Sequence, residues 1–405
     1  MTFNKKINVG EYTIGEPEKK IIMDVLDSGR ISEYKYVAEF EKKFAEIIGV
    51  KYCTLVNSGT SALIAGLTAL LYDERFPKIK KGAKVITTPL TYVATSNAVK
   101  LVGLEPVFVD VHLETFDMIA EQVESLLEKN NPDDFCMILP VHLMGYPVNM
   151  EKINRIAKKY DLVTFEDTAQ AHGTKYQGKN TGTFSLLADY SFYIAHNIQV
   201  GEMGAVITDD NRINQLIKKI KANGRMCDCG ICTRSKGFCP KSDLERDPRF
   251  LHDMLGYNFK TMEFQAALGL LQLDKFDEII KNRQDNVEYL NKSLKKFESD
   301  FILPKFSKDY SYLAYPIIIQ KTSKIKREYF RKKLSELGVE SRPLFGSIPT
   351  QQPAYKDYYN SYIGKLPNAD YLGDNAFYIG CHQYLKTADL EYIVKVFEKI
   401  MAETA

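Results

Sequence analysis

The sequence predicts an α/β fold built on a mixed, mostly parallel sheet, and three observations carry that prediction. Seven short apolar runs recur between residues 52 and 208. Segments of helical length, each with an apolar face, lie between most of them. From about residue 271 this rhythm gives way to a long charged helix and a second, smaller alternation. Strands that alternate with helices pair in parallel and are covered on both faces. The expected layout is a large domain over residues 1–273 and a smaller C-terminal α/β domain over 274–405.

An opening helix is expected over 16–27, where Ile21, Ile22, Val25 and Leu26 form one face and Gly29 lies beyond the end. A second, over 37–48, carries Phe40, Phe44 and Ile47. The seven strands are expected at 52–56, 84–88, 106–111, 136–141, 162–165, 189–194 and 205–208, with helices at 61–71, 93–102, 118–129 and 150–159. In the C-terminal part, a helix over 274–297 leads to a strand at 315–319, a helix at 324–337 and a closing helix at 390–401. In such sheets, ligands gather at the carboxyl ends of strands and at helix N-termini.

The composition is that of a soluble globular chain: 405 residues, 45% hydrophobic, 26% charged. A net charge of +2 gives no reason to expect nucleic acid or a membrane surface as partner. No apolar run reaches bilayer-spanning length, and the N-terminal residues lack the apolar stretch of a signal peptide, so a cytoplasmic protein is expected. The seven cysteines then read as thiols or metal ligands rather than disulfides. Cys53, Cys136 and Cys381 lie in apolar surroundings and read as core, whereas Cys227, Cys229, Cys232 and Cys239 crowd into one stretch.

Four motifs bear chemistry. Asn57-Ser58-Gly59-Thr60-Ser61-Ala62-Leu63 follows the first strand and opens a helix, where free N–H groups and hydroxyls suit a phosphate; a capped helix is the plainer alternative. Glu166-Asp167-Thr168-Ala169-Gln170-Ala171-His172-Gly173 puts an acidic pair at a strand end. Thr91-Tyr92 offers an aromatic ring at another strand end. The stretch Ser191-Phe192-Tyr193-Ile194-Ala195-His196-Asn197-Ile198-Gln199-Val200-Gly201-Glu202-Met203-Gly204 lies between two apolar segments.

In this order, and with Gly256-Tyr257-Asn258-Phe259-Lys260, these motifs resemble the DegT/DnrJ/EryC1/StrS sugar aminotransferase family, a branch of the fold-type-I pyridoxal-phosphate enzymes. The resemblance implies an aspartate aminotransferase-like fold. It also implies roles: Asp167 at the pyridine nitrogen, Gln170 near the ring hydroxyl, and Tyr92 stacked on the ring. Gly59, Thr60, Ser61 and Ser191 would hold the phosphate, and Asn258 would reach the phosphate of a neighbouring subunit, which makes a homodimer the expected minimum. Arg342, in Arg342-Pro343-Leu344-Phe345-Gly346, corresponds to a segment lining the family's sugar-nucleotide cleft and is a candidate diphosphate contact.

The chain departs from the aminotransferase pattern at one position: the cofactor-anchoring lysine is replaced by His196. That substitution resembles the family's sugar-nucleotide 3-dehydratases, in which pyridoxamine phosphate serves a 4-keto-6-deoxyhexose and histidine acts as a base. One dehydratase branch acts on a GDP-linked sugar and renews its cofactor from glutamate. Another acts on CDP- or TDP-linked sugars, carries an iron–sulfur cluster and takes electrons from a reductase. Cys227, Cys229, Cys232 and Cys239 point to the second branch, since four nearby thiolates enclose an iron–sulfur cluster or a zinc ion. Ala169, however, stands where that branch carries its fourth cysteine. A non-catalytic relative binding the cofactor or a sugar nucleotide is the remaining alternative.

Overall fold

The computed structural model describes residues 5–227, 229, 237–239 and 246–404. Its centre is a seven-stranded sheet of β1 (Tyr52–Val56), β2 (Lys84–Thr87), β3 (Glu105–Phe108), β4 (Phe135–Leu139), β5 (Val163–Asp167), β6 (Leu187–Ser191) and β7 (Gly204–Thr208). Their spatial order is β1-β7-β6-β5-β4-β2-β3. Neighbours from β6 to β3 pair in parallel, while β7 runs antiparallel to both β6 and β1. β4, β6 and β7 are buried along their whole length, as strands covered on both faces must be.

The helices of this half are α1 (Glu16–Asp27), α2 (Lys35–Ile48), α3 (Gly59–Tyr72), α4 (Ala94–Leu101), α5 (Ala120–Lys129), α6 (Met150–Tyr160), α7 (Asn211–Ile220) and α8 (Glu263–Leu273). α3 is apolar around nearly its whole circumference and lies flat on the sheet, where the ring of Phe165 and the Leu187 side chain press against Gly66. On the opposite face, Phe40 and Phe44 of α2 pack edge-on against Phe192 and Tyr190 beneath α8. α2 starts without a cap of its own. The buried carboxylate of Glu263, on α8, accepts from the N–H groups of Tyr34, Tyr36 and Val37 at 2.7, 2.8 and 3.0 Å.

α9 (Phe276–Leu294) then leads to a four-stranded antiparallel sheet of β8 (Phe301–Ile302), β9 (Tyr315–Ile319), β10 (Ser341–Pro343) and β11 (Ala376–Ile379), ordered β8-β9-β11-β10. α10 (Arg327–Glu336), α11 (Pro367–Asn375) and α12 (Thr387–Thr404) accompany it. Among the described residues, no helix is long and apolar enough to cross a membrane.

Two elements differ from expectation in their bounds. The strand expected at 189–194 covers Leu187–Ser191, because beyond Ser191 the ladder is reduced to a single bridge between Tyr193 and Gly201. His196 therefore lies in a loop. The helix expected over 274–297 is α9, Phe276–Leu294, followed by a 3-10 turn over Lys295–Phe297.

Candidate active site

The motif residues converge where β1, β5 and β6 end. Ser58 caps α3, its hydroxyl accepting the Ser61 N–H at 3.1 Å and lying 2.9 Å from the Ser61 hydroxyl. The first-turn N–H groups of Gly59 and Thr60 have no intrahelical acceptor and offer donors to an anion. Ser191, at the end of β6, closes this cradle so tightly that a Cβ on Gly59 would sit 2.5 Å from the Ser191 Cβ. A Cβ on Gly204, opposite Ser191 in the ladder, would overlap the Ser58 carbonyl. Small residues at these two positions let two strands and the N-terminus of α3 approach closely, with Ser191 beside the first turn of the helix.

Asp167 ends β5. Its carboxylate accepts from the Thr95 hydroxyl at 2.7 Å and from the Ala169 N–H at 3.2 Å. Burial pushes its pKa up, with those donors and the His142 ring pulling it back. Glu166 turns to the other face, as period-two alternation requires. There it is held by His142 Nε2 at 2.9 Å and by the N–H groups of Gly182 and Phe184. The acidic pair therefore divides into one structural carboxylate and one that faces the cradle. Gln170 spends its carbonyl on the Met144 N–H at 3.0 Å. Tyr92, just before α4, leaves its ring exposed and meets Phe345 edge-on.

His196 is half-buried on the loop after β6. Its Nδ1 lies 2.7 Å from the Ser191 carbonyl, an acceptor, so Nδ1 carries the proton and Nε2 is left as a lone-pair base. Burial pushes its pKa down to about 4; the Ser191 carbonyl opposes this shift and the buried Arg283 guanidinium adds to it. The next residue, Asn197, ties the loop to the Ser311 carbonyl at 3.1 Å, and Arg283 binds the carbonyls of Tyr312 and Leu313 beside it.

Arg342, on β10, is paired with Glu340 at 3.0 Å, opposite Tyr378 in the small sheet. Asn258 is exposed, in the segment whose Phe259 carbonyl accepts the Asn57 N–H. Cys227, Cys229 and Cys239 are half-buried, and the first two line a cavity with Lys218, Arg225 and Lys260. Cys232 lies outside the described residues. Among the described residues, no group of three or more His, Cys, Asp or Glu side chains is placed to hold a metal ion. Thr95 and Ser58 were not expected as site residues. The signal for Thr95 was its spacing of four from Thr91, whose hydroxyl lies 3.0 Å from its own.

The cradle fits a phosphorylated pyridine. Its anion end is the α3 N-terminus, and its other end is a buried carboxylate that, among the described residues, has no ion-pair partner and whose raised pKa a ring cation would reverse.

Comparison with known proteins agrees. The sequence profile of the DegT/DnrJ/EryC1/StrS aminotransferase family matches residues 12–398. The lipopolysaccharide biosynthesis protein RfbH of Salmonella typhimurium is 32% identical over 95% of this chain and 90% of its own. GDP-perosamine synthase of Escherichia coli O157:H7 is 31% identical over 98% of this chain and 100% of its own. A solved structure of E. coli GDP-4-keto-6-deoxy-D-mannose-3-dehydratase with bound hydrated PLP superposes with a TM-score of 0.86 at 28% identity, over 97% of this chain and 99% of that one. With the fold, the cradle and the matched length in agreement, the chain belongs to the DegT/DnrJ/EryC1/StrS aminotransferase family.

Proposed function

We propose that this protein is a cytoplasmic, pyridoxamine-phosphate-dependent enzyme that removes the C-3 hydroxyl of a nucleotide-linked 4-keto-6-deoxyhexose, on the way to a dideoxysugar. The observation that supports it is His196, standing where the aminotransferases of the family hold their lysine, with Nδ1 spent on Ser191 and Nε2 free. When bound, the cofactor supplies an amine that condenses with the keto group and a ring that takes up electron density. Gly59, Thr60, Ser61 and Ser191 would hold the phosphate, Tyr92 and Gln170 would contact the ring, and Asp167 would keep the ring nitrogen protonated. His196 Nε2 removes the proton whose loss drives departure of the hydroxyl. Asn258 completes the site of a second copy in a homodimer. Arg342, from the smaller unit at 274–405 rather than the larger one at 1–273, would contact the substrate diphosphate once released from Glu340.

An iron–sulfur cluster on Cys227, Cys229, Cys232 and Cys239, fed by a reductase, rests on sequence spacing alone, and no step is assigned to it. A second reading, glutamate-driven renewal of the cofactor without a cluster, is favoured by Ala169, which stands where the cluster-bearing branch carries a cysteine. A related dehydratase whose structure holds a trapped PLP–glutamate geminal diamine adds support.

The deciding experiment incubates the protein with GDP-, CDP- and TDP-linked 4-keto-6-deoxyhexoses, with glutamate or with an electron source, and follows the products by mass spectrometry. Loss of water with release of 2-oxoglutarate from glutamate selects the second reading. Replacement of the keto oxygen by an amino group, without loss of the C-3 hydroxyl, would overturn dehydration. His196→Asn should abolish water loss while the cofactor still binds.

A further inference from the structure

The middle of β6 carries a charged residue that the proposed chemistry does not use. Asp189 is fully buried, and neither of its carboxyl oxygens has a hydrogen-bond partner. In the sheet it stands beside Asp167 of β5 on one side and Val206 of β7 on the other. Residues two apart on a strand share a face. Phe165 and Leu187, two positions before each aspartate, both press on Gly66 of α3. Asp167, Asp189 and Ser191 therefore share the face that α3 covers.

Among the described residues, no cation is hydrogen-bonded to Asp189. α3, Gly59–Tyr72, contains no Asp, Glu, Lys, Arg or His. The charged residue of α4, Lys100, is paired with Glu105. Glu166 and Tyr190 point to the opposite face, and His142 is engaged with Glu166. Among the described residues, the charged neighbour acting on Asp189 is Asp167, and it carries the same sign.

Two carboxyl groups side by side in an apolar space do not both ionise. The charge settles where donors stabilise it, and Asp167 has the Thr95 hydroxyl and the Ala169 N–H while Asp189 has neither. We propose that Asp189 is held as a neutral acid and adds a hydrogen-bond donor to the face of the cofactor cradle that it shares with Asp167 and Ser191, a donor with no acceptor among the described residues. Burial and the neighbouring Asp167 both push its pKa well up, in agreement with that form. The cradle then presents one negative charge to the single positive charge of the ring. This inference rests on the reading of Asp167 as the ring-nitrogen partner.

The test uses the full-length protein without cofactor. Infrared difference spectra at pH 7 between wild type and Asp189→Asn should contain the carbonyl stretch of a protonated carboxyl group, present in wild type and lost in the variant. Affinity for pyridoxamine phosphate, followed by fluorescence, should stay within about twofold in Asp189→Asn, whose amide also donates. It should weaken about tenfold in Asp189→Val, the scale of one hydrogen bond lost inside a protein. Absence of the infrared band, or equal affinity in wild type and Asp189→Val, overturns the role of Asp189. Undiminished affinity in Asp167→Asn overturns the cradle reading itself, and Asp189's place in it, while leaving the infrared band unchanged.

Discussion

At the scale of single residues, the depressed pKa of His196 has two readable consequences. Its folded-state pKa, about 4, lies below the ordinary value of 6.5. The neutral ring therefore contributes stability that is complete above about pH 6.5 and is lost as pH falls toward 4. The same shift keeps Nε2 available as a base in mildly acidic solution. Turnover should hold down to about pH 5, measured by mass spectrometry of product against pH, rather than falling off near pH 6.5. In His196→Asn, thermal stability should fall less than in wild type between pH 6.5 and 4.5. Asp167 works in the opposite sense: burial raises its pKa, so its ionised form costs stability as pH rises through that range until a cation binds beside it.

At the scale of elements, what could be read from the sequence divides along a physical line. Periodicity located the seven strands of the main sheet, since a strand buried on both faces writes itself as a short apolar run. Motif chemistry located the α3 cradle and the His196 loop. Long-range partners left no such trace. Glu263 looks like an ordinary helical glutamate, and only the packing of α8 on α2 makes it the cap of a helix far away in the chain. Glu166 and Asp167 were indistinguishable as neighbours until the sheet assigned them to opposite faces. Glu263→Ala should cost about 3 kcal/mol in urea unfolding, because three N–H groups, that of Val37 fully buried, lose a charged acceptor. Gly204→Ala should loosen cofactor binding at least tenfold, measured by fluorescence, because its Cβ would force β7 away from the start of α3. Either loss would also separate an effect on the scaffold from one on the chemistry.

At the scale of the whole molecule, the exposed Asn258 gives the homodimer a test that sedimentation alone does not. If each copy supplies Asn258 to the other's site, His196→Asn and Asn258→Ala are defects on different sides of a shared site. Mixing equal amounts of the two inactive variants under exchange conditions should restore about one quarter of wild-type turnover, through mixed dimers with one intact site. No recovery, with exchange verified by native mass spectrometry, would place Asn258 in its own subunit's site.

The antiparallel strand β7 has a further consequence, for the order in which the molecule assembles. β6 and β7 are neighbours in sequence as well as in space, so the loop bearing His196 closes through local contacts, which form early. β1 joins β7 from far back in the chain, pairing Tyr52 with Thr208, and it brings the start of α3 with it. The expected order therefore puts the base in place before the phosphate cradle, which awaits the long-range pairing of β1 with β7. A ligand that needs both parts finds no partner in the incomplete chain. Added cofactor should therefore slow unfolding while leaving the main refolding rate unchanged, a pattern that stopped-flow fluorescence can resolve.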